Sequence, residues 1–451
     1  MTGEVIEEVD AKSLFRKMAE AAWACADPGI QYDDTINAWH TCPESGRING
    51  SNPCSEYMHL DNTSCNLASL NLMKFLKDDG KGNQSFESER FSKVVELVIT
   101  AMDISICFAD FPTQKIGENT RAFRQLGIGY ANLGALLMAT GHAYDSDGGR
   151  ALAGAITSLM TGTSYRRSAE LAAVVGPYDG YARNAEPHQR VMKQHADANA
   201  KAVRTDDLDN PIWAAATEAW QDVVRLGAKN GFRNAQASVI APTGTIGLAM
   251  SCDTTGLEPD LALVKFKKLV GGGSMQIVNG TVPQALRRMN YSEEQIEAIV
   301  AHIAEHGNVI DAPALKPEHY EVFDCAMGER SISAMGHVRM MAAIQPGSPA
   351  PSPRRSTCPR PPPSRTSRRS TSRRGSSASR RSRSTATTAR SASPSPPRRR
   401  RRRRPRSPSR PRRPSAPPWR RSSSTARSAS ASPRAAPASP PPSRWAAPRA
   451  T

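Results

Sequence analysis

Three residues whose side chains could carry out chemistry lie in the pentapeptide "NPCSE", residues 52–56. Asn52, Cys54 and Glu56 alternate, and alternate side chains of an extended segment point to the same side. A carboxylate beside a thiol raises the pKa of the thiol, which disfavours an ordinary cysteine nucleophile. The arrangement suits a sulfur that loses a hydrogen atom while the carboxylate moves a proton. Taken alone, the triplet is better explained by a buried structural cysteine in a loop.

A second cysteine, Cys65, follows Cys54 after eleven positions. This spacing is not that of a Cys-x-x-Cys zinc knuckle, and no His/Cys pair accompanies it at ligand spacing, so we predict no metal site. The two thiols could meet across a folded loop, or each could have a separate role.

The composition places these thiols in a reducing compartment. The chain has eight cysteines in 451 residues, no secretory signal and no apolar run long enough to span a bilayer. We therefore expect a cytoplasmic protein with reduced thiols and no membrane partner. In that compartment a close cysteine pair is more often catalytic or metal-binding than a structural disulfide.

The segment "APTGTIG", residues 241–247, offers backbone amides and two hydroxyl groups around a glycine. Such a turn can bind phosphate if it opens a helix. An ordinary Pro-Thr-Gly turn without a ligand is the alternative.

The elements that must position these residues are predicted from the periodicity of the apolar side chains. We predict helices over 11–26, 91–111, 120–140, 150–175, 187–228 and 291–307, the last with a Ser-x-x-Gln capping box and a terminal glycine. Residues 27–56 form a long irregular segment of the kind that usually has a function. Residues 234–266 indicate a strand, a loop, and then a strand or a helix. This mixture predicts the α/β class.

The charge divides the chain into two regions. Residues 347–451 contain 29 arginines, no lysine and no acidic residue, which leaves 31 basic and 42 acidic residues in 1–346. The tail has no Leu, Ile, Val, Phe or Tyr, so it cannot bury a core and is predicted to be disordered. One interpretation is a basic arm that binds nucleic acid non-specifically through phosphate contacts.

A shifted reading frame explains the tail better. All eight of its residue types have codons with G or C at the second base. Residues 350–362, "APSPRRSTCPRPP", can be encoded so that a reading two bases later gives "AISKTVNMPETA". The following residues can likewise be decoded into an amphipathic helix with mixed charge. The hypothesis predicts a break in the frame near codons 345–350.

Four segments become informative when they are taken together. They are "NPCSEYMHLDNTSCNLASLNL", "APTGTIG", "SCDTTGLEPDLALVKFKKLVGGGSMQIVNGTVPQALRRMNYS" and "AMGHVRMMAAIQP". Together they resemble the adenosylcobalamin-dependent (class II) ribonucleotide reductases, and the resemblance extends through essentially all of residues 1–346. The shifted reading of the tail resembles the sequence that follows in that family.

The resemblance implies part of a ten-stranded α/β barrel with a central finger loop that carries "NPCSE". It implies that Cys54 forms the thiyl radical that removes the 3′ hydrogen of a ribonucleotide, and that Glu56 takes the proton of the 3′ hydroxyl. Asn52 would hydrogen-bond the substrate, and Cys65 would be one of two cysteines that supply the reducing equivalents and end as a disulfide. The substrate phosphates would be bound by Pro242, Thr243, Gly244, Thr245 and Ile246.

The resemblance also implies partners and missing parts. The cofactor would be adenosylcobalamin, the substrate a ribonucleotide (a diphosphate is favoured), and the reductant a thioredoxin-type protein or another dithiol. The intact family member could be a homodimer. In that family the other reducing cysteine lies far upstream of the position of Cys65, and a C-terminal cysteine pair regenerates the disulfide. We therefore expect that the chain is truncated at both ends and that the polypeptide as written is inactive.

Three alternatives stay open. A nucleic-acid-binding protein would use the arginine-rich tail. A glycyl-radical reductase would require a glycine-radical loop, which the shifted reading of the tail does not contain. A class I reductase shares the Asn-x-Cys-x-Glu triplet but depends on a separate radical-generating subunit, and the eleven-residue spacing from Cys54 to Cys65 favours the cobalamin class.

Overall fold

The computed structural model of the chain describes residues 5, 7–25, 27–79, 83–205, 208–268 and 274–347. The predicted disordered tail, 347–451, lies outside the described residues except for Gly347. The helices are α1 (Ala11–Cys25), α2 (Asp33–Ala38), α3 (Ser88–Phe108), α4 (Gln114–Phe123), α5 (Leu133–Ala139), α6 (Asp147–Val175), α7 (Tyr181–Ala200), α8 (Asn210–Asn230), α9 (Gly244–Ala249), α10 (Val282–Arg288), α11 (Glu293–His306) and α12 (Ala334–Ile344). The strands are β1 (Asn66–Asn71), β2 (Leu76–Asp78), β3 (Gln84–Phe86), β4 (Leu126–Ala131), β5 (Val264–Lys268) and β6 (Ser274–Val278).

Strands β1 and β4 are parallel, and Asn66 pairs with Leu126 at one end and Asn71 with Ala131 at the other. Residues 236–239 extend this arrangement on the far side of β4. The N–H groups of Leu126 and Ile128 donate to carbonyls of 236 and 237 at 2.8 and 2.9 Å, and a parallel bridge joins Ile128 to position 238. Three parallel segments therefore lie side by side, as expected for the α/β class. Within the described ranges the named strands form three two-stranded sheets and no closed barrel.

The predicted helix over 120–140 is wrong. The segment contains the end of α4, the strand β4 and the short helix α5. All six residues of β4 are buried. A strand buried on both faces reads as a continuous apolar run, and periodicity alone cannot distinguish such a run from a buried helix.

The main core surrounds α6, whose residues are buried around most of its circumference. This helix packs against α3, α8 and α12. The long helices cover the parallel segments on one side, and leucine, isoleucine and aromatic side chains from β1 and β4 join the same core. The helices predicted over 11–26, 91–111 and 150–175 are confirmed within a few residues, and 187–228 contains two helices, α7 and α8, rather than one.

A buried ion pair connects α3 to the start of β4. Arg124 donates through Nε to Oδ1 of Asp103 at 2.7 Å, and Nδ2 of Asn234 donates to the same oxygen at 2.9 Å. The side chains of Arg124 and Asp103 are only 5% and 9% exposed. Loss of one partner from such a pair costs about 3–5 kcal/mol, so these contacts hold the segment that begins at Asn234 against β4.

A second, smaller core lies around α10, α11 and the antiparallel hairpin β5–β6. The predicted capping box of α11 is confirmed. The side chain of Ser292 accepts from the N–H of Gln295, and the side chain of Gln295 accepts from the N–H of Ser292. Gly307 ends the helix in the left-handed region at φ 76°, which a glycine adopts without steric cost.

Candidate active site

The segment that carries Asn52, Cys54 and Glu56 is a tight turn, and the extended segment expected from the sequence is wrong. Ser51 and Met58 pair as an antiparallel bridge, and the chain reverses between them. Oδ1 of Asn52 accepts from the N–H groups of Glu56 and of the next residue, at 3.1 and 2.9 Å. The amide oxygen of Asn52 therefore fixes the turn instead of being free for a ligand.

The turn gives the thiol of Cys54 and the carboxylate of Glu56 different solvent exposures. Cys54 is exposed, whereas Glu56 is 4% exposed, and its Oε2 has no hydrogen-bond partner among the residues that the structure describes. Burial raises the pKa of Glu56 and outweighs a lowering contribution from Asn52. A buried carboxylate with a raised pKa and a free oxygen suits a group that accepts and returns a proton.

Cys65, directly before β1, belongs to the same group of side chains. Part of the residue is exposed, but the protein around the sulfur raises the pKa of the thiol to about 12. Loss of solvation is the largest cause, followed by the electrostatic influence of Glu56 and Cys54. The structure thus brings these three residues together, with Cys54 and Cys65 both as free thiols. At neutral pH Cys65 carries its proton, which a donor of hydrogen or electrons requires.

Tyr57 attaches the turn to the parallel strands. Its side chain is fully buried and forms a small cluster with Val239 and Ala241. A β-carbon at position 127 would lie 2.9 Å from Val239 and 3.1 Å from the ring of Tyr57, so the close approach requires Gly127. Because Tyr57 follows Glu56 directly and Ala241 precedes the 242–246 loop directly, this cluster connects both predicted parts of the site.

The 242–246 loop leads directly into a helix, and a turn of this sequence needs such a position to bind phosphate. Thr243 is the N-cap of α9 with φ 50°, is 4% exposed, and accepts through Oγ1 from the N–H of Gly256 at 2.6 Å. Pro242, Gly244, Thr245 and Ile246 are exposed. The first N–H groups of a helix have no partner within it, so those of residues 244–246 face an open surface.

Comparison with known proteins places the chain in a family. The model of "Ribonucleotide reductase, barrel domain" matches residues 2–347. The chain belongs to the ribonucleotide reductase family. The match covers both parts of the site and ends where the composition of the tail begins.

Curated relatives of the reductase segment carry names that mention vitamin B12. A "Vitamin B12-dependent ribonucleotide reductase" of Streptomyces coelicolor is 95% identical over 346 residues, which are 77% of this chain and 36% of the relative. One of Rhodopirellula baltica is 51% identical, over 74% of this chain and 32% of the relative. A "Vitamin B12-dependent ribonucleoside-diphosphate reductase" of Mycobacterium tuberculosis is 29% identical, over 76% and 42%. The chain thus spans roughly a third of the length of the relatives that it matches.

Several residues of the reductase segment were missed by sequence reasoning. Gly127 lies against the ring of Tyr57 in the turn, and Asn132 accepts through Oδ1 from the N–H of Thr254 at 2.9 Å. The glycine pair of "GIG" (127–129) was a usable signal, since glycines inside a strand often mark a close approach of another segment. The apolar pattern of 120–140 predicts a helix there instead.

In the described part of the chain, no three His, Cys, Asp or Glu side chains are grouped so that they could hold a metal ion. None of the helices over the same residues is both long enough and apolar enough to cross a membrane.

Proposed function

We propose that this chain carries the thiol and carboxylate groups with which a ribonucleotide reductase converts ribonucleotides, in particular diphosphates, to 2′-deoxyribonucleotides for DNA synthesis. One observation carries the proposal. An exposed thiol, Cys54, lies two residues from a buried carboxylate with a free oxygen, Glu56, and both influence the high-pKa thiol of Cys65.

Each residue has a distinct role in the proposed reaction. The sulfur radical of Cys54 removes the hydrogen atom from C3′, and Glu56 accepts the proton of the 3′ hydroxyl. The 2′ hydroxyl then takes a proton from one of two reducing thiols and leaves as water, and the hydrogen of the other thiol goes to C2′. Cys65 and a second thiol supply two electrons and become a disulfide, after which Cys54 returns a hydrogen atom to C3′. A thioredoxin-type protein or another dithiol reduces that disulfide.

The exposed loop at 242–246 is proposed to bind the substrate phosphates. The free N–H groups at the start of α9 favour an anion. A side chain at position 244 would meet nothing within 4 Å, so there is room for a ligand. We propose that Asn52 acts by holding the turn, since its amide oxygen already accepts two backbone N–H groups.

The residues at the turn fit adenosylcobalamin, the cofactor implied by the names of the relatives. Cys54 and Pro53 are exposed, so a bound group can approach the Cys54 thiol. Bound adenosylcobalamin would supply radical chemistry, and the exposed Cys54 sulfur would give up its hydrogen atom there. The turn then holds Cys54 in place, and the protein around Glu56 excludes water from the carboxylate.

We further propose that β1, β4 and residues 236–239 are neighbouring strands of the ten-stranded barrel, with the 51–58 turn as its finger loop. Their parallel order supports this. For the tail, we propose a shifted reading frame rather than a nucleic-acid-binding arm, because the family match stops at residue 347. Genomic DNA with an uninterrupted frame across codons 345–350 would overturn that part.

The activity is tested in a chimaera, because the chain spans 36% of its Streptomyces coelicolor relative. Residues 2–347 replace the corresponding segment of that relative, and deoxyribonucleotide formation is measured with adenosylcobalamin and a dithiol. We expect turnover within a few-fold of the unaltered relative. No product from the chimaera, with the relative active under the same conditions, would contradict the proposal.

A further inference from the structure

Asn132 occupies a special position at the carboxyl end of β4. It is the N-cap of α5, has φ 73° in the left-handed region, and is 2% exposed. Asparagine is one of the few residues other than glycine that tolerate this conformation. A glycine would satisfy the backbone equally well, so the presence of a side chain here calls for a separate reason.

The side chain of Asn132 joins β1 to a loop that follows α9. Its Nδ2 donates to Oδ1 of Asn71, the last residue of β1, at 3.0 Å. Its Oδ1 accepts from the N–H of Thr254 at 2.9 Å, and its own N–H donates to the carbonyl of Thr254 at 3.2 Å. Asn71 in turn donates through Nδ2 to the carbonyl of Met250 at 3.2 Å. The 250–256 loop is therefore bound at two points to the ends of the parallel strands.

The same loop holds the proposed phosphate-binding segment. The N–H of Gly256 donates to Oγ1 of Thr243 at 2.6 Å, and Thr243 is itself in the left-handed region and buried. The N–H of Cys252 donates to the carbonyl of Gly247 at 2.9 Å. The conformation of Thr243 sets the direction in which α9 begins, so the loop determines where the free N–H groups of 244–246 point.

We propose that Asn132 is a positioning residue for the substrate phosphates. It fixes the 250–256 loop to the strand ends, and the loop fixes Thr243 and the first turn of α9. Asn132 touches no reacting atom. The inference rests on the proposed phosphate-binding role of 242–246.

Site-resolved hydrogen exchange on the full chain, with and without ADP, tests the inference. Asn132→Gly keeps the backbone conformation and removes both side-chain contacts, and Asn132→Asp retains only the acceptor. We expect exchange at amides of 247–256 to become about tenfold faster or more in Asn132→Gly, in proportion to the hydrogen bonds lost, and less so in Asn132→Asp. ADP should protect the amides of 244–246 in the unaltered chain and at least severalfold less in the variants. Some ADP will bind to the arginine-rich tail. Because exchange is measured at single amides, this binding does not affect the result for 244–246.

Asn290→Gly is the matched control, since Asn290 is exposed and also has a positive φ, 64°. It should leave the exchange of 247–256 and the ADP protection unchanged, and the amides of 56 and 57 should not respond to any of the three variants. Unchanged exchange in Asn132→Gly would overturn the inference, as would faster exchange with full ADP protection. Absence of ADP protection in the unaltered chain would overturn the phosphate-binding role itself, and this failure is visible before any substitution is made.

Discussion

The ring of Tyr57 occupies the space directly above Gly127. A β-carbon at position 127 would come within 3.1 Å of Cε2 of Tyr57, and within 2.5 Å of a methyl group of Leu67. The absence of a side chain at one position of β4 therefore allows the turn with the candidate catalytic residues to lie against the strand.

Gly127→Ala is predicted to lower the free energy of unfolding by about 1–3 kcal/mol, the usual effect of overpacking a close contact. The added methyl group must displace Tyr57, Leu67 or Val239. Urea unfolding of the chain measures the change. Gly50→Ala is the control, because a β-carbon at position 50 meets nothing within 4 Å. Equal stability of the two variants would show that the contact with Tyr57 is not tight.

Glu56→Gln is predicted to stabilise the fold at neutral pH while it abolishes turnover in the chimaera. Burial raises the pKa of Glu56 above its unfolded value. The protonated Glu56 side chain therefore contributes fully to stability below the pKa that it has in the unfolded chain. This contribution is lost as the pH rises through the higher pKa that it has in the folded protein. A neutral amide avoids that loss, so the variant should gain on the order of 1 kcal/mol at pH 8 and little at pH 4.

Unfolding free energies at the two pH values, with exposed Glu305→Gln as the control, test this prediction. The control should show the same pH dependence as the unaltered chain. A Glu56→Gln variant that is less stable at pH 8 would indicate that the carboxylate has a structural partner. A variant that retains turnover would remove Glu56 from the reaction.

Cys65 is predicted to react with iodoacetamide more slowly than other exposed thiols do. With a pKa of about 12, only a small fraction is thiolate at pH 8, and the thiolate is the reactive form. Peptide mapping should show alkylation at least tenfold slower than at the exposed Cys25. Glu56→Gln should accelerate the reaction of Cys65, since it removes a negative charge that raises the pKa. An unchanged rate would mean that the two side chains are not electrostatically coupled.

Local signals along the chain predicted more of the fold than of the site. The capping box at Ser292 and Gln295 specified α11 closely, because both partners lie within one turn. The alternation of polar residues over 52–56 predicts an extended segment, because the sequence pattern does not reveal that Asn52 accepts from two backbone N–H groups.

The supporting contacts of the site were beyond sequence reasoning for a related reason. Gly127 meets Tyr57, and Asn132 meets Thr254, across long separations in the chain. Such contacts depend on which strands become neighbours, and no local periodicity contains that information. The candidate residues Cys54 and Glu56 stand out only when "NPCSE" is combined with the other three segments that carry the resemblance, because the triplet alone is better explained by a buried structural cysteine.

The central claim is that the sulfur of Cys54 starts the reduction. It is tested most directly by deoxyribonucleotide formation in the chimaera carrying Cys54→Ser, compared with the chimaera carrying Cys25→Ser, each with adenosylcobalamin and a dithiol. We predict no product above background from Cys54→Ser, because a hydroxyl group cannot replace the thiol as a hydrogen-atom carrier. We predict full turnover from the control, Cys25→Ser. Product formation by the Cys54→Ser chimaera would contradict the account.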